Sequence, residues 1–265
     1  MNRNLSRQEQ YLKQQRRHKK IIIGMRILIF VSFFALWELA ADLGWIDDFI
    51  FSSPSRILTC FLSMISDGSL FAHLVITLLE TLVSFGLVVA LTLIVAVLLW
   101  LNESVSKTLE PYMVILNSLP KSALAPLLIV WLGGNYKTII VTGISVAIFG
   151  SIMSLYTNFM EISPSKIRLI QTLGGTRKDV LFKVLLPANI PNLLSIMKVD
   201  IGLCLVGVII GEFISSRQGL GYLIIYGSQV FKLDWVLMSI VILCLIAMAL
   251  YWVINLLDKQ YLKRL

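Results

Sequence analysis

Ionisable side chains stand inside the long apolar runs of this chain, among them Glu80, Lys121, Lys198, Asp200 and Glu212. A charge at that depth is costly unless it meets water, a counter-ion or a solute, so each marks either transport chemistry or a structural pairing. Lys121 and Ser122 lie in a segment punctuated by Pro111, Pro120 and Pro126. Proline removes a helix hydrogen bond and bends the chain, and broken helices are tolerated in lipid where they line a cavity or pack within protein. Lys121 therefore faces either an anionic solute or an internal carboxylate, with Glu80, Asp200 and Glu212 as the available partners. Lys198 and Asp200 are two residues apart and point to different sides of a helix. Each needs a partner on another helix or an aqueous cavity. Pro120, Lys121, Ser122, Pro126, Lys198 and Asp200 form the candidate translocation set. Glu212 precedes the Gly219-Leu220-Gly221 turn and is expected to tie to it as outer gate or scaffold. Glu38 and Glu80 read as interhelical hydrogen-bonding groups.

Other chemistries find no residues to carry them. There is no Ser/His/Asp set, no G-x-x-x-x-G-K-[ST] phosphate loop and no dinucleotide fingerprint; the run Gly133-Gly134-Asn135-Tyr136-Lys137-Thr138 lacks the phosphate-loop spacing. His18 and His73 are isolated, and Cys60, Cys204 and Cys244 have no metal-type spacing. The chain is expected to be no enzyme, to bind no metal and to hydrolyse no ATP itself.

The elements that must position the charged groups follow from composition. Hydrophobic residues make up 57% of the 265 and charged residues 14%, where a water-soluble domain carries about 25% charged residues; mean hydropathy is +0.85. The apolar runs are too long for barrel strands of about ten residues, so the spans are helices. Six are expected, near 21–41, 74–100, 111–132, 138–160, 188–214 and 235–257. The apolar core of the first exceeds a signal peptide's, and no small-x-small cleavage site follows Trp45, so it is expected to remain as a span. Trp37, Trp45, Trp131, Trp235 and Trp252 near span ends read as interfacial anchors.

Lysine and arginine set the orientation. Seven precede the first span, in a basic segment over 1–20, and Lys107, Lys166, Arg168, Arg177, Lys178, Lys183, Lys259, Lys263 and Arg264 fall on the same side. Only Arg56, Lys137, Arg217 and Lys232 fall on the other. Both termini are expected in the cytoplasm, in a multi-pass membrane protein. The net charge of +8 is then topology and contact with anionic lipid, not a nucleic-acid footprint. The outer segments 42–70, with a helix start at Ser52-Ser53-Pro54-Ser55, and 215–234 are too small to be a receptor domain.

Between the fourth and fifth spans lies a basic, amphipathic segment over 161–187. Ile167, Leu169, Ile170 and Leu173 recur at helical spacing, as do Val180, Leu181, Val184 and Leu185 beyond Gly174-Gly175. Two short helices bent at the glycines would lie across the cytoplasmic mouth, a shape suited to receiving force from a partner or to resting on lipid headgroups.

From Arg168 to Pro187 the segment resembles the EAA loop of ABC-importer permeases. Gly174, Val184, Leu186 and Pro187 match that pattern, while its acidic-small-small opening is replaced by Arg168-Leu169-Ile170. Gly211-Glu212-Phe213, Gly219-Leu220-Gly221-Tyr222, Asn117-Ser118-Leu119-Pro120-Lys121, Ala125-Pro126-Leu127 and Thr172-Leu173-Gly174-Gly175-Thr176 extend the likeness from about Arg26 onward. Together they resemble permeases of the nitrate/sulfonate/taurine type, a group that includes carriers of thiamine-precursor pyrimidines. The resemblance implies an all-α polytopic protein of a bacterial plasma membrane, with a coupling helix between spans four and five. It implies pairing with a second copy or a homologous permease, two cytoplasmic ABC ATPase subunits that use ATP and Mg, and an extracytoplasmic substrate-binding protein. It places ATPase coupling on Leu169, Thr172, Leu173, Gly174, Gly175, Thr176, Arg177, Lys178, Leu186 and Pro187, with Leu173 as apolar anchor and Arg177 or Lys178 pairing with acidic groups on the partner. An ion-gradient-driven carrier using Glu80, Lys198 and Asp200, and a non-transporting scaffold, are the alternatives.

Overall fold

The structure, a computed structural model, describes residues 7–263, so Arg3 and Arg264 of the topology argument lie outside the described residues. It is built of helices and turns among the described residues. Helix α1 runs unbroken from Arg7 to Asp42, joining the basic leader and the first span in one rod. Its 36 residues rise about 54 Å, well beyond the hydrocarbon thickness. The short α2 (Asp48–Phe51) leads to α3 (Pro54–Ser66). That helix starts where the Ser-Ser-Pro-Ser run predicts, with the Ser53 hydroxyl accepting from Arg56 N–H and Pro54 in the first turn.

Four further long helices are α4 (Ser69–Leu101), α7 (Tyr136–Met160), α10 (Leu186–Ser215) and α12 (Leu233–Leu262). With α1 they give five helices long and apolar enough to cross a membrane. Tyr136, Ser69 and Leu233 stand at one end of the bundle. The other end carries Arg177, Lys178 and Lys259 and is called here the basic end.

The expected third span is not one bent helix. It is two, α5 (Glu103–Ser118) and α6 (Lys121–Leu132), meeting at 97°. Of its three prolines only Pro120 breaks the chain: Leu119 before it is extended, at φ −63° and ψ 139°, as steric clash with a following proline ring demands. Pro111 and Pro126 sit inside helices.

The centre is α4, α7 and α10. Val88, Ala147, Ile148 and Cys204 close one core cluster, and Ala96, Leu155, Phe159, Leu181 and Leu185 another towards the basic end. Small residues let these backbones meet, because a Cβ on Gly207 would fall 2.8 Å from Gly143 Cα. A third cluster joins α3, α10 and α12 with α11 (Leu220–Gln229) through Met64, Leu205, Leu223 and Met238. The apolar window of α1 has no residue buried inside the chain, so that helix faces lipid or another subunit.

Candidate functional site

At the basic end, α8 (Pro164–Thr172) ends in a turn whose backbone closes on itself. Gly175 N–H donates to Ile170 O at 2.9 Å and Gly174 N–H to Gln171 O at 3.0 Å, the paired bonds of a Schellman cap. Gly174 has φ +81°, a conformation glycine adopts without cost. Gly175 is needed for a different reason: a Cβ there would lie 2.5 Å from Ile170 Cγ2 and 2.8 Å from Ile170 O. The outcome is a compact tip from which Leu169 and Leu173, four residues apart on one helical face, project at 59% and 76% exposure. The Thr172 hydroxyl donates to Leu169 O at 2.9 Å and is satisfied within its own helix.

The helix then restarts at once. Thr176 caps α9 (Arg177–Val180) in a capping box: Asp179 N–H donates to the Thr176 hydroxyl, and Thr176 N–H to the Asp179 carboxylate at 2.9 Å. Lys183 adds an ion pair to Asp179 at 2.7 Å. A π-helical stretch (Leu181–Leu185) passes into α10, a widened turn just before Pro187, which has no N–H to give to the carbonyl four residues back. The expected loop over 161–187 thus ends near Thr176. Leu186 packs against the core cluster of Leu155 and Leu185, and Pro187 belongs to the span helix. Arg177 Nη1 donates to Leu101 O at 3.3 Å, tying the restarted helix to the end of α4. Lys178 is exposed and makes no ion pair among the described residues. A cavity of ≈ 230 Å³ between Trp100, Glu103, Tyr156 and Ile167 lies behind the turn.

At the opposite end the expected link between Glu212 and the Gly219-Leu220-Gly221 turn is made. Glu212 is fully buried. Its carboxylate accepts from the Thr77 hydroxyl at 2.7 Å and from Gly221 N–H at 2.6 Å. Leu220 N–H donates to the Thr77 hydroxyl at 2.8 Å and Gly219 N–H to His73 Nδ1 at 3.0 Å. The first turn of α11 is therefore capped by side chains of α4 and α10, with a carboxylate at the positive end of the helix. Both glycines are dictated by that contact. Gly219 has φ +109°, and a Cβ there would strike the Glu212 carboxyl group; one on Gly221 would lie 2.8 Å from Glu212 Oε2. The Glu80 carboxyl group lies against that of Glu212.

The remaining ionisable residues do not converge. Lys121 Nζ, half-buried, donates to the carbonyls of Asn117 and Leu116. It meets none of the three expected carboxylates and caps the last turn of α5, whose carbonyls lose their partners at the Pro120 break. Ser122, Pro120 and Pro126 are exposed around that break. Lys198 pairs with Asp258 of α12 at 2.6 Å. Asp200, 2% exposed, accepts from the Ser151 hydroxyl of α7. The expectation that Lys198 and Asp200 serve different helices holds. Glu38 accepts from Ser55 N–H at 3.1 Å, linking α1 to α3.

Thr77, His73, Ser151 and Asp258 were not marked by the sequence. Thr77, His73 and Ser151 are polar residues in apolar runs and Asp258 lies just past the last one, and only helix register brings each to its partner. The Thr176–Asp179 capping box has a sequence signal of its own, Thr-x-x-Asp.

Comparison with known proteins agrees with this architecture. A probable ABC transporter permease protein of Haemophilus influenzae is 28% identical over 91% of this chain and 95% of its own length. The putative aliphatic sulfonates transport permease protein SsuC of Bacillus subtilis is 25% identical over 86% of this chain and 83% of its own. The taurine transport system permease protein TauC of Escherichia coli is 26% identical over 81% and 80%. In fold, the chain resembles a chain of the inward-facing MetNI methionine ABC transporter, with a TM-score of 0.61 and 21% identity over 70% of this chain and 92% of that one. The family model described as "binding-protein-dependent transport system inner membrane component" matches residues 83–264, more than half of the chain, and to that family of ABC transporter permeases this multi-pass membrane protein belongs.

Proposed function

We propose that this chain is the membrane subunit of an ATP-driven importer, working as a pair of copies with two cytoplasmic ATPase subunits and a solute-binding protein on the far side. The observation that carries the reading is the Leu169–Leu173 face. Two large apolar side chains stand exposed on a turn that the backbone closes rigidly and that Arg177 ties to α4. A membrane subunit has no internal use for such a tip, whereas a cleft on a soluble ATPase would bury it. In this reading the basic end is cytoplasmic, by the distribution of lysine and arginine, and Lys178 is an exposed cation placed to meet an acidic rim.

Closure of the ATPases on ATP and Mg, neither of which this chain binds, would move the turn. The Thr176–Asp179 cap and the continuous helix beyond it would carry that motion along α10 to Glu212. The permease thus supplies a two-state element, and the nucleotide cycle biases it. The solute is a small molecule: a sulfonate, nitrate, taurine-like anion or thiamine-precursor pyrimidine, as relatives named for aliphatic sulfonates, taurine and formylaminopyrimidine suggest. The ion-gradient carrier draws no support from Lys198 and Asp200, because their pairing with Asp258 and Ser151 occupies the groups a relay would use.

The test is the mass of the intact complex purified in mild detergent from its native membrane. Two copies of this chain with two of an ATPase is the expected result. A lone chain or homo-oligomer with no nucleotide-binding partner would overturn the reading.

A further inference from the structure

At the end of the bundle opposite the coupling turn, an open cavity of ≈ 540 Å³ lies between α4, the start of α7 and the segment that follows α10. Its size is that of a small-molecule pocket. Its polar lining is unusual for the open side of an apolar bundle: Glu80, Asn135, Tyr136, Ser215 and Arg217 all contribute. Asn135 is spent, since its side chain caps α7 by accepting from the N–H groups of Lys137 and Thr138. Two others are not. Glu80 is 8% exposed, yet its Oε2 has no hydrogen-bond partner, and the buried hydroxyl of Ser215 has none either. Buried polar atoms left open are rare in native proteins and call for an explanation. The rest of the Glu80 carboxyl group is hydrogen-bonded to that of Glu212, which Thr77 and Gly221 hold in place. Arg217 is exposed on the same cavity and makes no ion pair among the described residues.

We propose that this cavity is a solute site for a small zwitterion, its cationic or N–H donor end received by Glu80 and Ser215 and its acidic end by Arg217. The inference rests on the importer reading above, which makes this end extracytoplasmic and therefore the side of entry. It narrows the solute class. A plain anion would satisfy Arg217 and leave the Glu80 oxygen unpaired, and a site that must pair a buried polar group rejects ligands lacking the complement. It also separates solute contact from Lys121, Lys198 and Asp200, none of which lines this cavity. Glu80 touches both the cavity and the Glu212 link that pins Gly221. A solute drawn onto Glu80 therefore acts on the same carboxyl pair that holds the start of α11.

The test uses the full chain, purified with whatever ATPase accompanies it and placed in nanodiscs, and three two-carbon probes: taurine, ethanesulfonate and ethylamine. Equilibrium binding is expected to favour taurine over each single-ended probe by about tenfold or more, the factor for one charge-assisted hydrogen bond. Glu80→Gln should remove the margin over ethanesulfonate, and Arg217→Gln the margin over ethylamine. Because Glu80 packs on Glu212, Ser215→Ala serves as the second variant should Glu80→Gln not fold, and it is expected to weaken taurine and ethylamine while leaving ethanesulfonate unchanged. The proposal is overturned if no probe binds, if taurine has no margin over ethanesulfonate, or if the margins survive these substitutions. Presence or absence of the co-purified ATPase is scored separately, so loss of the importer reading and loss of this site give different results.

Discussion

Two glycine turns sit at opposite ends of this bundle, and they use the same backbone freedom for opposite purposes. Gly219, at φ +109°, folds the chain inward over a fully buried carboxylate, and the N–H groups of residues 219–221 find partners on α4 and α10. Gly174, at φ +81°, folds the chain outward, closes only on its own helix and leaves Leu169 and Leu173 in the open. The first turn is complete within the subunit. The second is geometrically finished but energetically unfinished, because its apolar tip has nothing to bury against. A surface of that kind is expected where a partner completes it.

This contrast can be broken most severely at Glu212. Glu212→Leu leaves Gly221 N–H without an acceptor in a buried site and the Thr77 hydroxyl with only the His73 carbonyl at 3.2 Å, and should lower the stability of the detergent-solubilised protein by about 3 kcal/mol. Glu212→Gln, which keeps an acceptor, should retain most of it; thermal unfolding followed by circular dichroism reads both. The next effect compares the turns directly. Gly219→Ala combines a strained φ with collision against the Glu212 carboxyl group, whereas Gly174→Ala meets nothing within 4 Å. The expected losses are about 3 kcal/mol for the first and about 1 kcal/mol for the second, from the same unfolding measurement. Equal losses would mean that the inward turn is not built around the carboxylate. Smaller still is Thr176→Val, which removes the cap of α9 at a cost of about 0.5 kcal/mol. Hydrogen exchange should rise over residues 176–180 and leave the start of α11 unchanged.

How far the sequence carried differs between these regions. The long spans were legible because apolar length alone decides them, and the outward turn because a glycine pair interrupts a helical pattern of leucines and isoleucines. The Glu212 link was legible in outline from the Glu-then-Gly-x-Gly spacing. Its other half was not, because Thr77 and His73 belong to α4 with no motif to mark them, and register between helices, not local pattern, brings them under the turn. The same holds for Asp258 with Lys198 and Ser151 with Asp200. Lys121 misled for a different reason. The costly lysine implied a distant carboxylate, but the Pro120 break frees backbone carbonyls one turn away, and these satisfy it. With three prolines in one apolar run, nothing local distinguished the one that breaks it from the two a helix absorbs.

The most direct measurement of the central claim, that the outward turn exists to be completed by another subunit, is the amount of ATPase that co-purifies with Leu173→Asp. The side chain is 76% exposed, so the change should leave the unfolding temperature where it is, while a charge placed in an apolar socket should cut ATPase retention by about tenfold or more. Full retention of the ATPase by a normally folded Leu173→Asp variant would contradict the account.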